Sequence, residues 1–161
     1  MALPAKLTLD VVTPEKKLLS ETVDEVTLPG REGYLGVLPG HAPLLTSLKI
    51  GEVEYRQGTA KHAIALAWGF AEILPDRVTI LADIAERPDE IDVERATRKK
   101  EEIERQMKQP APDFDFAKAQ DALQKEIVRI DIGTRLGKRL PGEPTRHAPK
   151  AGRIHGEGPD R

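Results

Sequence analysis

The amino-acid sequence predicts a β-sandwich of about eight to ten antiparallel strands, followed by an α-helical hairpin and a disordered basic tail. Three observations predict this order: short alternating apolar runs between turn signals in residues 6–83, helical apolar periodicity after Pro88, and a closing segment with few large apolar side chains. The expected units are a sandwich domain at 1–86, a two-helix hairpin at 87–134 and the tail at 135–161.

Composition narrows the class of protein before any motif is considered. The chain has 161 residues and a formal charge of −2, and its 39% apolar content is enough for one modest core. It contains no Cys, which excludes disulfides, thiolate zinc sites and cysteine nucleophiles. No apolar run approaches the ~20 residues that span a bilayer, and the N-terminus lacks the regions of a signal peptide. We therefore expect a cytosolic chain.

The first segment alternates in the way that short strands do. Leu7, Leu9 and Val11 would lie on one face of a strand, and comparable runs follow along the chain. Turn signals separate the runs, at Pro14-Glu15, Pro29-Gly30, Pro39-Gly40, Gln57-Gly58 and Pro75-Asp76. Since no helices intervene, the strands must bury their apolar faces against another sheet. We expect Trp68 and Phe70 in that core.

The first predicted helix spans 90–109. Asp89 is the expected N-cap, with Asp92 in the capping-box position, and Pro110 ends the helix. Acid–base pairs four residues apart support the helix. Its apolar stripe is thin and consists of Ala96, Ile103 and Met107.

The second predicted helix starts at the cap Asp113 and ends at Gly133. Its apolar stripe consists of Phe116, Ala119, Leu123, Ile127 and Ile130. Two helices with a short connection form an antiparallel hairpin, and this stripe is too large to be covered by the first helix alone. The sandwich or another chain must supply the remaining surface, so we expect a hairpin that can exchange between two docking surfaces.

No catalytic constellation is visible in the sequence. It has no phosphate-binding loop, dinucleotide fingerprint, paired metal-ligating His or nucleophile motif, so we expect neither enzymatic activity nor a bound metal. His41 follows a turn and Tyr34 lies in a glycine-rich segment, which favours structural or contact roles for both.

One run is specific enough to indicate a family. Residues 32–45, which read EGYLGVLPGHAPLL, closely resemble the signature of the epsilon subunit of F-type ATP synthases. Further runs match that family in order and spacing, at 9–14, 68–73, 78–83 and 91–96. The resemblance covers Leu7 to about Ile132 and implies a ten-stranded sandwich followed by a mobile two-helix hairpin.

The resemblance implies a non-catalytic rotor-stalk subunit of a proton-translocating ATP synthase. The sandwich of such a subunit joins the gamma subunit to the membrane ring of c subunits, and so couples ion flow to ATP synthesis. Its hairpin inhibits ATP hydrolysis when it extends toward the alpha/beta catalytic hexamer. The implied location is peripheral, on the cytoplasmic side of the bacterial inner membrane, with no nucleic-acid partner.

Two groups of site residues follow from the resemblance. Glu32, Tyr34 and His41 would contact the rotor ring or gamma. Many relatives carry an acid where Tyr34 stands, so an aromatic or hydroxyl contact would replace an ionic one. The second group matches a motif through which some bacterial relatives bind ATP, which implies a weak regulatory ATP and no other cofactor. Its members are Glu86, Ile91, Asp92, Arg95, Ala96, Lys125 and Arg129.

The ATP motif has a plain structural alternative, in which Asp92 caps the first helix and Arg95 is an exposed surface residue. Glu102, one heptad after Arg95, replaces a basic residue of the relatives and would repel a triphosphate. Arg98 or Lys99 would compensate for this inversion of charge.

Two functions of other classes stay open from the sequence. A stand-alone ATP-sensing module would become compact with ATP alone and would not copurify with a gamma subunit. A basic-tailed nucleic-acid-binding module would bind polyanions in a salt-sensitive way that depends on residues 135–161, which include seven basic residues and three acidic ones.

Overall fold

The computed structural model describes residues 2–137, so the predicted tail lies outside the described residues except for its first three positions. Eight strands come first: β1 (Leu7–Val12), β2 (Lys17–Val23), β3 (Glu25–Gly30), β4 (Gly33–Val37), β5 (Leu44–Leu48), β6 (Gly51–Gln57), β7 (Ala60–Leu74) and β8 (Arg77–Glu86). A 3-10 turn (Pro88–Glu90) leads into α1 (Val93–Lys108) and α2 (Phe116–Leu136). The predicted order of sandwich and two-helix hairpin is confirmed.

The strands form one continuous hydrogen-bonded sheet that folds over a shared core. Its order is β2-β1-β8-β7-β5-β3-β4, and β6 pairs with both β3 and β7. The pairs are antiparallel, apart from the parallel pair of β1 and β8. Within residues 2–137 the strand count is eight rather than about ten. One reason is that β7 runs unbroken for 15 residues, where the sequence suggested shorter runs.

Strand β7 changes its core-facing side midway along its length. Leu66 and Ala71 both lie in the core although they are five positions apart, a spacing that puts residues of a regular strand on opposite faces. Between them, Trp68 (φ 60°) and Gly69 (φ 148°) have positive φ angles, which reverse the alternation. Trp68 and Phe70 are consequently 43% and 57% exposed, so the prediction that both belong to the core is wrong.

The sandwich core is self-contained. Its cluster of buried apolar side chains runs from Leu7 on β1 to Ala85 on β8 and includes no residue of the hairpin. Burying a large aliphatic side chain of this kind contributes about 1.5–3 kcal/mol. A chain that ends at Arg87 would therefore keep the whole of this core.

Asp10 is a buried carboxylate where β1 pairs with β2. Its Oδ1 accepts hydrogen bonds from Lys17 Nζ and Ser20 Oγ, each at 2.7 Å, and these bonds hold the pKa of the Asp10 carboxyl below its ordinary value. Asp10→Asn should lower the free energy of unfolding by about 1 kcal/mol at neutral pH. The charged form stabilises the fold above the unfolded-state pKa of about 3.9, and this contribution is lost as the pH falls through the lower native pKa.

Urea unfolding of both proteins over a range of pH tests this prediction. The difference in unfolding free energy between wild type and Asp10→Asn should shrink to nothing in acid. A difference of constant size down to the lowest pH would show that the charge of Asp10 is not what stabilises the β1–β2 pair.

Both helices begin later than predicted, each at a different aspartate. Asp92 caps α1, because its Oδ1 accepts the Arg95 backbone N–H at 3.0 Å. The predicted cap Asp89 lies in the preceding 3-10 turn, which ends at Glu90, the residue predicted to begin the helix. Asp115 caps α2 by accepting a backbone N–H three residues later at 3.1 Å, so the predicted cap Asp113 stands before the helix.

Helix α2 also continues past Gly133, which was predicted to end it, as far as Leu136. Gly133 is buried, and a Cβ atom there would lie 2.6 Å from Val93 Cγ2 and 3.0 Å from Ile91 Cγ2. The residue therefore permits α2 to approach the start of α1 closely, and it does not terminate the helix.

The sandwich covers part of the apolar stripe of α2, which the sequence indicated that α1 alone could not cover. Helix α2 packs on β6 and β7, whereas α1 packs chiefly on α2. Ile132 is fully buried in a small second cluster with Ala65 of β7 and Ile91 of the linker. The predicted apolar stripe is only partly covered, since Phe116 and Ile127 remain 53% and 39% exposed. The apolar contact between hairpin and sandwich is thus small.

Candidate functional site

A cleft lies between the docked hairpin and the sandwich. Its volume is about 330 Å3, within the range of ~300–1,000 Å3 found for small-ligand pockets. It is lined by β8, the β1–β2 turn and both helices, through Thr13, Glu15, Lys16, Asp83, Ile84, Ala85, Glu86, Arg95, Lys99, Lys125, Glu126 and Arg129. The lining is strongly charged, which suits a polar ligand.

Arg129 on α2 is the most constrained charge of the cleft. Its Nε and Nη2 donate to the two carboxylate oxygens of Glu86 at 2.6 and 3.0 Å, and its Nη1 donates to Glu126 at 2.7 Å. Glu126 is only 1% exposed. Burial alone would lower the pKa of Arg129, but the hydrogen bonds to the two carboxylates raise it above its ordinary value. Because Glu86 belongs to β8, Arg129 fastens the hairpin to the sandwich.

A second ion pair fastens the last turn of α2. Arg135 Nη2 donates to both carboxylate oxygens of Glu52 on β6, at 2.7 and 2.6 Å, and to Asp131 at 3.2 Å. The hydrogen bond to Glu52 is the main reason that the pKa of Arg135 is raised. Near the linker, Lys16 Nζ donates to Glu90 at 2.8 Å and so lowers the pKa of Glu90. Ion pairs thus join the docked hairpin and its linker to the sandwich at three places.

Three further cations line the cleft. Arg95 and Lys99 lie one turn apart on α1, and within residues 2–137 neither forms a salt bridge. Lys125 Nζ lies 4.0 Å from Glu126. Ammonium and guanidinium groups placed in this way can hold an anion such as a phosphate.

The structure places the seven predicted ATP residues in two groups. Four of them line the cleft, namely Glu86, Arg95, Lys125 and Arg129. The others do not: Ile91 and Ala96 are buried, and Asp92 caps α1. Sequence reasoning missed Lys16 and Glu126. Glu126 precedes Arg129 by one helical turn, which could have identified it, whereas no local signal relates Lys16 to the helices.

The three predicted contact residues lie at two places. Glu32 is in the exposed turn between β3 and β4, and Tyr34 is the second residue of β4, with 61% of its surface exposed. The Tyr34 hydroxyl accepts the Glu52 backbone N–H at 3.4 Å. His41 follows β4, and its Nδ1 lies 2.6 Å from the Ala42 carbonyl oxygen. Strand β4, whose five residues at about 3.3 Å each extend roughly 16 Å, lies between the turn with Glu32 and the segment with His41.

An apolar face remains uncovered on the sandwich. Phe70 pairs with Leu81 across β7 and β8, and both side chains are 57% exposed. Leu45 on the adjoining β5 is 72% exposed, and Trp68, two residues before Phe70 on β7, is 43% exposed. Neighbouring large apolar side chains in solvent are typical of a surface that meets another protein. The reversal of faces in β7 explains why sequence reasoning missed this surface.

Two family profiles cover nearly the whole of the described chain. The profile "ATP synthase, Delta/Epsilon chain, beta-sandwich domain" matches residues 6–88, and "ATP synthase, Delta/Epsilon chain, long alpha-helix domain" matches residues 89–132. The chain belongs to the delta/epsilon chain family of ATP synthases. The resemblance found in the sequence is thereby confirmed.

Individual relatives agree with the family profiles. The chain is 49% identical to the ATP synthase epsilon chain of Syntrophobacter fumaroxidans over 127 residues, which are 79% of this chain and 95% of that one. It is 46% identical to the epsilon chain of Citrifermentans bemidjiense over 135 residues, 83% of this chain and 98% of that one. It is thus an epsilon-type subunit of an ATP synthase, and the comparisons support neither the stand-alone ATP sensor nor the nucleic-acid-binding module.

A solved structure extends the likeness to three dimensions. A chain of the Euglena gracilis mitochondrial ATP synthase, in a structure of OSCP, F1 and the c-ring, superposes with a TM-score of 0.72 at 25% identity, covering 83% of this chain and 84% of that one. Within residues 2–137, neither helix has the length and apolar character that crossing a membrane requires.

Proposed function

We propose that the chain is a non-catalytic subunit of the rotor stalk of a proton-translocating ATP synthase, which couples ion flow to ATP synthesis and inhibits ATP hydrolysis through its hairpin. One observation carries the proposal: a self-contained sandwich holds the hairpin through ion pairs and a small apolar cluster. Such a hairpin can leave its place without unfolding the sandwich, since a difference of a few kcal/mol decides between two positions.

The partners that we propose correspond to separate surfaces. The exposed face with Phe70 and Leu81 suits the gamma subunit, because burying it would remove apolar surface from water. The β3–β4 turn with Glu32 and Tyr34 would contact the polar loops of the c-ring. His41, in the segment that follows β4, would contact gamma. The released hairpin would reach the alpha/beta hexamer.

The proposed place of the chain is peripheral, on the cytoplasmic side of the bacterial inner membrane. The family assignment supports it, since an epsilon-type subunit acts within the ATP synthase complex. The likeness to a chain in a structure that contains a c-ring supports it as well.

Reconstitution of ATP hydrolysis tests the proposal. An epsilon-depleted catalytic complex from the same source is combined with the full chain or with a version that ends at Arg87. Both should bind, because the sandwich core contains no residue beyond Ala85. Only the full chain should suppress hydrolysis, and by several-fold. Equal effects of two bound versions would exclude the hairpin as inhibitor, and failure of both to bind would overturn the assembly role.

We further propose that the cleft binds ATP weakly as a regulatory ligand. The cationic groups of Arg95, Lys99 and Lys125 would bind the phosphates. Arg129 already donates hydrogen bonds to Glu86 and Glu126. Weak affinity follows, because a phosphate must compete with two carboxylates for the same guanidinium. Glu102 does not line the cleft, so its charge is less adverse than its sequence position implied.

Calorimetric titration of ATP into the full chain measures this binding. Arg95→Gln and Lys125→Gln should each weaken the affinity by roughly tenfold, because each removes one hydrogen bond to a charged group. Arg98→Gln is the matched control, since Arg98 is exposed on α1 outside the cleft. Equal losses in all three variants would indicate general charge attraction, and no heat with the wild type would exclude the ligand.

A further inference from the structure

The β3–β4 turn, taken as residues 31–34 so that it includes the start of β4, and the last turn of α2 meet at one residue of the sandwich. Glu52 on β6 donates its backbone N–H to the Tyr34 hydroxyl at 3.4 Å. Its carboxylate accepts Arg135 Nη2 at 2.6 and 2.7 Å. The Glu52 side chain is only 16% exposed, although that of Arg135 is 46% exposed. A single residue therefore contacts both the turn segment and the hairpin.

The ring of Tyr34 rests on the strand that carries Glu52. Tyr34 pairs with Pro29 across β3 and β4. At Gly51, a Cβ atom would lie 2.7 Å from Pro29 Cβ and 3.1 Å from the Tyr34 hydroxyl oxygen. Because Gly51 has no side chain, the Tyr34 hydroxyl can lie close enough to β6 to accept the Glu52 backbone N–H, although 61% of Tyr34 is exposed. Displacement of Tyr34 therefore breaks the hydrogen bond from the backbone N–H of the same residue whose carboxylate accepts Arg135.

We propose that Glu52 couples the β3–β4 turn to the docked hairpin, so that a partner that displaces Tyr34 favours release of α2. The partner's identity rests on the proposed function, whereas the coupling within the chain does not. After Arg135 leaves Glu52, it can still donate a hydrogen bond to Asp131 on its own helix, 3.2 Å away. This remaining bond reduces the free energy required to release the hairpin. By thermodynamic reciprocity, release of the hairpin must also change the state of Tyr34.

A double-mutant cycle on the isolated full chain tests the coupling. Because the chain has no cysteines, spin labels can be placed at Asp76 and Glu101 alone, both exposed, one on the β7–β8 turn and one on α1. Pulsed electron paramagnetic resonance then gives the ratio of released to docked hairpin. We expect Arg135→Gln to raise this ratio roughly threefold and Tyr34→Phe roughly twofold. The double variant should show less than the product of the two factors.

Fluorine NMR spectra distinguish coupling from a purely structural role of Arg135, because a purely structural role would not shift the signal of Tyr34. The chain has two tyrosines, so 3-fluorotyrosine labelling yields two signals, and Tyr34→Phe assigns them. Arg135→Gln should shift the Tyr34 signal, and Glu52→Gln should shift it in the same direction. Lys100→Gln is the control, because Lys100 pairs only with Glu104 on its own helix within the described residues. A multiplicative cycle or an unmoved Tyr34 signal would overturn the coupling and leave the proposed function untouched, since neither measurement involves the ring.

Discussion

Gly133→Val should force α2 away from the start of α1 and the linker, loosen the small cluster through which Ile91 and Ile132 meet Ala65 of the sandwich, and leave the sandwich folded. A Cβ on this residue would stand 2.6 Å from Val93 Cγ2 and 3.0 Å from Ile91 Cγ2, and the valine methyl groups extend further into the same space. Overpacking of a closely packed site costs about 1–3 kcal/mol. The apolar contact beside it is small, so this cost should raise the released fraction of the hairpin several-fold. Hydrogen exchange should show lost protection in α1 and α2 and unchanged protection in the strands.

Two further variants isolate the steric cause. Gly133→Ala raises intrinsic helix propensity by about 1 kcal/mol, so any release that it produces must come from the contact with Val93 and Ile91. Thr134→Val places the same side chain one position later, on an exposed residue. Equal protection of the helices in Gly133→Val and in Thr134→Val would show that close packing at Gly133 does not hold the hairpin.

Arg129→Met should also displace the hairpin, through charge rather than volume. Methionine retains much of the apolar stem but leaves the buried Glu126 without its hydrogen-bond donor at 2.7 Å. Removing one partner of a buried ion pair costs about 3–5 kcal/mol. Lys125, whose Nζ is 4.0 Å from Glu126, recovers part of that cost. Opening the hairpin hydrates Glu126, so the cost appears as release and not as unfolding of the sandwich.

Rescue by a second substitution distinguishes this cause from lost packing. Glu126→Gln added to Arg129→Met removes the unpaired charge and should restore docking in part, as measured by the spin-label distance between Asp76 and Glu101. Arg98→Met is the control, because Arg98 is exposed on α1 and forms no salt bridge within residues 2–137. A double variant as open as Arg129→Met alone would contradict the role assigned to Glu126.

Local patterns in the sequence predicted the elements well and their ends less well. Asp92 satisfies the rules for a helix cap, and so does Asp89, but only the observed 3-10 turn decides between them. Gly133 satisfies the rule for a helix end, yet the structure uses its missing side chain for close packing. A residue type that suits two roles is assigned by its neighbours in space, which the local pattern does not contain.

The sequence predicted some residues of the candidate site but not the ion pairs that join its elements. Arg95 and Lys125 were found through the resemblance, and both line the cleft. The ion pairs Arg129–Glu86 and Arg135–Glu52 join residues 43 and 83 positions apart, and no periodicity relates them. The exposed Phe70 was missed because alternation in β7 reverses at a positive φ angle, a backbone feature that hydropathy does not reveal.

By itself, the sequence determined the order of sandwich and hairpin, and it determined the family. It could do so because strand alternation, helical periodicity and contiguous motifs are properties of neighbouring residues. Only the tertiary structure decided which face of β7 is buried, that α2 packs on the sandwich, and that charges hold it there. These outcomes depend on contacts between segments that are far apart in the sequence, and such contacts form only when the chain folds.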